Sequence, residues 1–91
     1  MSPNRLSGPD AFAAIADARR RTILELLAER ERSVGELTES LGIAQPSVTQ
    51  HLRVLSEVGL VAVEKRGTRS IYSLTTGPLT DVTDWVATLT R

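Results

Sequence analysis

The sequence predicts a mainly α-helical domain that carries one β-hairpin, with elements in the order α-α-α-α-β-β-α. Three observations predict it. Apolar residues recur at three- and four-residue spacing in separate stretches, the mark of helices that bury one face. Two short runs rich in β-branched and aromatic residues, 60–66 and 69–74, flank Gly67-Thr68, which is a hairpin signal. Between the third and fourth helical stretches the chain reads Leu41-Gly42-Ile43-Ala44, a break of the length that joins the two helices of a helix-turn-helix.

Each element has its own justification. Pro3, Gly8 and Pro9 give residues 1–9 an irregular start, and residues 10–91 read as one domain. Asp10 is placed to cap a first helix over about 10–16, where Phe12, Ile15 and Ala16 recur at helical spacing. Asp17 caps a second over about 18–30. Ile23, Leu24, Leu27 and Ala28 form its stripe and Leu26 broadens it, so most of this helix is expected to be buried. Ser33-Val34-Gly35-Glu36 is a capping box: the hydroxyl accepts from the third helical amide while the carboxylate reaches back to the cap amide. The short third helix it opens turns Val34, Leu37 and Leu41 inward, and Gly42 supplies the left-handed residue that ends it.

The fourth helix begins after Ala44 and runs to about Val58, before Gly59. Pro46 is tolerated there because it lies in the first turn. Ala44 has no capping side chain, so this start is expected to fray. Val48, Leu52 and Leu55 fall within roughly 60° of one another on the helical wheel and form the buried stripe. Pro46, Thr49, Gln50, Arg53, Val54 and Glu57 lie opposite, with Ser47 and His51 on the flank. The two strands then make a hairpin with a basic tip. After Thr75-Thr76-Gly77-Pro78 a last helix carries Leu79, Val82, Trp85, Val86 and Leu89 as a continuous apolar stripe. A helix-turn-helix followed at once by a basic hairpin is the winged helix-turn-helix arrangement.

Composition sets the outer limits. At 91 residues the chain is one domain at most. A fold of that size buries only about 60–65% of its unfolded surface, which points to help from a partner chain, a metal or disulfides. The sequence has no cysteine and one histidine, which removes disulfides and leaves little for a transition-metal site. No stretch approaches the roughly 18–20 apolar residues of a membrane span, and the first ten residues lack the apolar core of a signal peptide. A cytoplasmic protein without a membrane partner is the expectation. The net charge is zero, from 11 basic and 11 acidic residues, which by itself argues mildly against a nucleic-acid partner. The distribution says more: residues 19–32 and 44–76 each carry +2, concentrated in Arg19-Arg20-Arg21 and in Lys65-Arg66-Gly67-Thr68-Arg69.

The chemistry is that of a binding protein. From Gln45 to Arg53 the outward face of the fourth helix offers Gln45, Pro46, Ser47, Thr49, Gln50, His51 and Arg53, with no acid before Glu57 and no lysine. Solvated helix faces are usually rich in Glu and Lys. This one carries short or planar hydrogen-bonding groups that can reach base edges and phosphates from the major groove of double-stranded DNA. Lys65, Arg66, Thr68 and Arg69 of the hairpin could follow the DNA backbone; the plainer role for such charges is to discourage strand-edge pairing. The dipole disfavours three arginines at the start of the second helix. At least one of them is therefore expected to pair with Asp17, Glu25 or a neighbouring helix. No catalytic residues are identified: there is no cysteine, no glycine-rich phosphate loop and no acid to orient His51 behind Ser47.

Four motifs stand in order along the chain: Ala16-Asp17-Ala18-Arg19-Arg20-Arg21-Thr22-Ile23-Leu24-Glu25-Leu26-Leu27, then Val34-Gly35-Glu36-Leu37, then Leu41 through Leu55, and finally Gly59-Leu60-Val61 with Gly67 through Leu74. Through them the sequence resembles, over residues 11–90, the ArsR family of bacterial winged-helix repressors. It departs from the family pattern at Ala18, where proline is usual, and at Ala44, where a serine cap is usual. The third-helix cysteines of the metal sensors are absent, and Asp81 and Asp84 stand in the last helix with no histidine. The resemblance implies a homodimeric, operator-binding transcriptional repressor, and the departures from the metal sensors lead to the expectation of no metal and no other cofactor. The likeness is greatest to the metal-independent autorepressors, which share an ending like Tyr72-Ser73-Leu74-Thr75-Thr76.

A small winged-helix core cannot bury the whole last-helix stripe. Leu79, Val82, Trp85, Val86 and Leu89, with Phe12 and Ile15 of the first helix, are therefore the expected homodimer interface. Two further readings stay open: a winged-helix module that binds another protein through its fourth helix, and a repressor released by a small-molecule effector that the sequence does not identify.

Overall fold

The computed structural model describes residues 10–91, so the expectation for residues 1–9 lies outside it. The helices are α1 (Ala11–Ile15), α2 (Ala18–Glu29), α3 (Val34–Leu41), α4 (Gln45–Glu57) and α5 (Leu79–Thr90). The strands are β1 (Arg32–Ser33), β2 (Val61–Arg66) and β3 (Arg69–Leu74). The fold is the winged helix-turn-helix.

Local chemistry accounts for most of the boundaries. The Asp10 carboxylate accepts from the Ala13 amide at 2.9 Å and starts α1. One oxygen of Asp17 accepts from the Arg19 and Arg20 amides at 2.8 and 3.1 Å and starts α2. Those two bonds, the Arg20 amide above all, hold the Asp17 carboxyl below its ordinary value. The capping box of α3 is complete, with Glu36 N to Ser33 Oγ at 3.1 Å and Ser33 N to Glu36 Oε1 at 2.9 Å. Gly42 closes α3 at φ 66°, a left-handed conformation that a Cβ penalises. Ala44 makes no side-chain cap bond to α4.

The strand β1 has no counterpart in the sequence reading. Arg32 pairs with Tyr72 and Ser33 with Ile71, so the hairpin is part of a three-stranded antiparallel sheet of order β1-β3-β2. Two residues are too short to show an alternation. They are recruited because the outer edge of β3 passes the chain just before α3, where its backbone groups need partners. The hairpin itself pairs Val61 with Leu74 through Arg66 with Arg69.

The core consists of Ala11, Ala14, Ile23, Leu27, Leu37, Val48, Leu52, Leu55, Leu60 and Val61. On α4 the buried residues are the expected stripe of Val48, Leu52 and Leu55. On α2 only Ile23 and Leu27 are buried, so most of that helix is not buried. Leu24 and Leu26 are half-buried and Ala28 is exposed, because α1, α3, α4 and β3 all pack on α2 without enclosing it. α5 buries no residue fully.

Candidate nucleic-acid interface

α4 divides its polar residues between two positions. Gln45, Pro46, Thr49, Gln50 and Arg53 line one shallow surface depression of about 350 Å³. They share it because positions i, i+4 and i+8 of a helix stack on one side. All five are exposed, and Arg53 Nη1 donates to Gln50 Oε1 at 3.4 Å, so both side chains lie along the same surface. The side chains offer both donors and acceptors and no acid. Ser47 and His51 are half-buried and do not line this depression. Each is set back toward the core stripe, and an Arg20 guanidinium faces Nδ1 of His51 at 3.3 Å.

The hairpin tip holds Lys65, Arg66, Thr68 and Arg69, all exposed, around a turn in which Gly67 takes φ 64°. These cations are not equivalent. Arg66 donates to Glu31 at 2.5 and 3.2 Å and to Glu64 at 2.6 Å. The bonds to Glu31, then those to Glu64, raise its pKa above the ordinary value. Arg69 lies 3.5 Å from Glu36, which also pairs with Arg30 at 3.2 Å. The Glu36 carboxyl is held below its usual range, first by the Ser33 amide and then by Arg30. Lys65 makes no ion pair among the described residues. Of the acids that balance the wing, Glu64 lies two residues from Arg66 on the same strand, whereas Glu31 and Glu36 lie outside the hairpin, 35 residues from Arg66 for Glu31, and no local sequence signal marks those two.

The apolar residues named for a partner chain also separate into two sets, with Phe12 half-buried against Trp85 between them. Ile15, Leu79 and Val82 pack half-buried against the domain's own core. Trp85, Val86 and Leu89 remain exposed at 53%, 43% and 64%.

Among the described residues, no group of three or more His, Cys, Asp or Glu side chains could hold a metal ion. Asp81 and Asp84 are exposed on α5, and the single histidine faces a guanidinium rather than other ligands. This donor set does not fit a transition-metal site. No described helix is long and apolar enough to cross a membrane.

Residues 17–63 match the family described as bacterial regulatory protein, ArsR family. The chain is 44% identical over 73 residues to the HTH-type transcriptional regulator Rv2034 of Mycobacterium tuberculosis, a match that covers 80% of this chain and 64% of that protein. It is 34% identical over 77 residues to the transcriptional repressor SdpR of Bacillus subtilis, covering 85% and 86%. A solved ArsR family transcriptional regulator superposes with a TM-score of 0.83 at 30% identity, covering 99% of this chain and 91% of that one. The chain thus spans a little under two thirds of the mycobacterial relative and most of the other two.

Proposed function

The chain belongs to the ArsR family of bacterial regulatory proteins, and from that premise we propose a homodimeric transcriptional repressor that binds a pseudo-palindromic operator. It is a DNA-binding regulator and not an enzyme. It acts in the cytoplasm, within one domain over residues 10–91, without a metal cofactor.

The observation that carries this reading is the outward face of α4. Gln45, Pro46, Thr49, Gln50 and Arg53 line one acid-free surface, while Val48, Leu52 and Leu55 fix the helix to the core. A helix so mounted enters the major groove with amide and hydroxyl groups at base edges. The positive end of its dipole faces phosphate. Ser47 approaches the backbone at the edge of the helix, His51 stands behind that edge against Arg20, and Lys65, Arg66, Thr68 and Arg69 follow the adjacent phosphates. One such helix covers only a few base pairs. A twofold pair, joined through Phe12 and the exposed Trp85, Val86 and Leu89, reads two half-sites. Binding represses by occluding the promoter.

The test is selection of bound duplexes from a randomised pool, with footprinting of the DNA upstream of the chain's own gene. The expected result is an enriched inverted repeat with half-sites about one helical turn apart or a small multiple of that. Failure of the intact protein to enrich any sequence overturns the reading.

A further inference from the structure

Arg20 sits in the first turn of α2, where the helix dipole disfavours a cation, yet its side chain is half-buried and bonded on three sides. Nε donates to the Ala14 carbonyl at 2.7 Å and Nη2 to the Ala13 carbonyl at 3.1 Å. Nη1 donates to His51 Nδ1 at 3.3 Å. The neighbouring Arg21 donates to the Ile15 carbonyl at 2.7 Å. Arginines at the start of α2 thus donate to the carbonyls at the end of the short α1, of which Ala13 also accepts from the Ala16 amide at 3.3 Å. The Arg20 backbone is itself fixed, because its amide is one of the two that bond Asp17.

A guanidinium has no acceptor and does not lose its proton in a protein. The contact with His51 therefore requires Nδ1 to accept, which leaves the ring proton on Nε2. That nitrogen has no hydrogen-bond partner among the described residues. Three helices meet in this one side chain. α1 carries Phe12, whose ring packs on Trp85 of α5. α2 carries Arg20. α4 carries His51, one residue from Gln50 and two from Arg53.

We propose that Arg20 is a positioning residue for operator binding. It fixes the setting of the reading helix α4 relative to α1, the helix on the dimer side, by holding His51 in one orientation and one tautomer. This rests on the DNA-binding reading above. Lysine keeps the charge but offers a point donor in place of a planar fork, and cannot make the three bonds together.

The experiment measures two affinities for each variant. One is for a duplex that the intact protein selects from a randomised pool, the other for poly(dI-dC), with thermal melting recorded alongside. Arg20→Lys should weaken the selected duplex by about tenfold while leaving poly(dI-dC) binding within about twofold, since the residue acts through a coupled partner. His51→Leu should reproduce that loss. His51→Gln, whose amide oxygen can accept from Arg20, should recover most of it. The double variant Arg20→Lys with His51→Leu should be no weaker than either single one. Arg20→Lys that folds and binds the selected duplex as tightly as the parent overturns the proposal, and so do losses that multiply in the double variant. If Arg20→Lys does not fold, the two His51 variants decide: equal binding by leucine and glutamine overturns it. A parent that selects no duplex fails at the earlier reading and takes this proposal with it.

Discussion

The ring of Phe12 meets the indole of Trp85 edge to face, with centroids 5.8 Å apart and planes at 88°. The contact joins α1 to the middle of α5, while about half of Trp85 stays open. A tryptophan 53% exposed beside Val86 and Leu89 is a surface that a second copy can cover. Burying such side chains contributes roughly 1.5–3 kcal/mol each, enough to hold a dimer against the entropic cost of association. In sedimentation equilibrium at micromolar concentration the parent should be a dimer and Trp85→Ala with Leu89→Ala a monomer. A monomeric parent that still binds operator tightly would refute the interface, as would a double variant that dimerises like the parent.

Thr49 and Gln50 are exposed on α4, outside its buried stripe of Val48, Leu52 and Leu55. Replacing both with alanine should leave the melting temperature unchanged. Each base edge that goes unread should lower the specific affinity by roughly 1–3 kcal/mol. Titration of the selected duplex in parallel with poly(dI-dC) reads the difference. Parent-like discrimination in the double variant would remove these residues from the reading surface.

The wing should act by charge, and unequally. Lys65→Gln should lower the slope of log affinity against log salt by about 0.9 if it frees one phosphate. Arg66→Gln should lower it less, because Glu31 and Glu64 already hold that guanidinium. Exposed ion pairs contribute only about 0–1 kcal/mol, so phosphate can compete for Arg66 and the effect should not vanish. Neutralising Lys65, Arg66 and Arg69 together should weaken all sequences alike. An unchanged salt slope in that triple variant would leave these residues as guards of the strand edge.

Acid should destabilise the fold through Asp17 and Glu36. Each carboxyl is held below its ordinary value by hydrogen bonds to its charged form. Their contribution is therefore complete above the unfolded values, about pH 4–4.5, and is lost as pH falls through the lower folded values. Asp17→Asn keeps a capping oxygen while removing the ionisation. Denaturant unfolding from pH 6 down to pH 3 should show a shallower loss of stability for this variant than for the parent. Equal slopes would show that Asp17 does not report on acid unfolding.

Helix order, the hairpin, the α3 capping box and the buried stripe of α4 are all legible in the chain before it folds. Each of these is decided within about four residues. Ser33 reaches Glu36, Gly42 ends the helix it follows, and Val48, Leu52 and Leu55 align because a helix repeats every 3.6 residues. The polar face of α4 is legible for the same reason, as the complement of that stripe. Packing settles the rest. β1 exists because the outer edge of β3 lies beside Arg32 and Ser33. The apolar stripe of α5 reads as continuous, yet packing against the core shelters Leu79 and Val82 and leaves Trp85 and Leu89 outside. Of the partners expected for the arginine run (Asp17, Glu25 or a neighbouring helix), the Arg20 side chain takes the neighbouring helices: it bonds the α1 carbonyls and His51 of α4, 31 residues away. Arg66 likewise finds Glu31 at a separation of 35. Such partners are chosen by which surfaces the packed helices bring within about 3 Å, the reach of a hydrogen bond. Hydrophobic periodicity fixes those surfaces, but it carries no record of which polar side chains will meet across them.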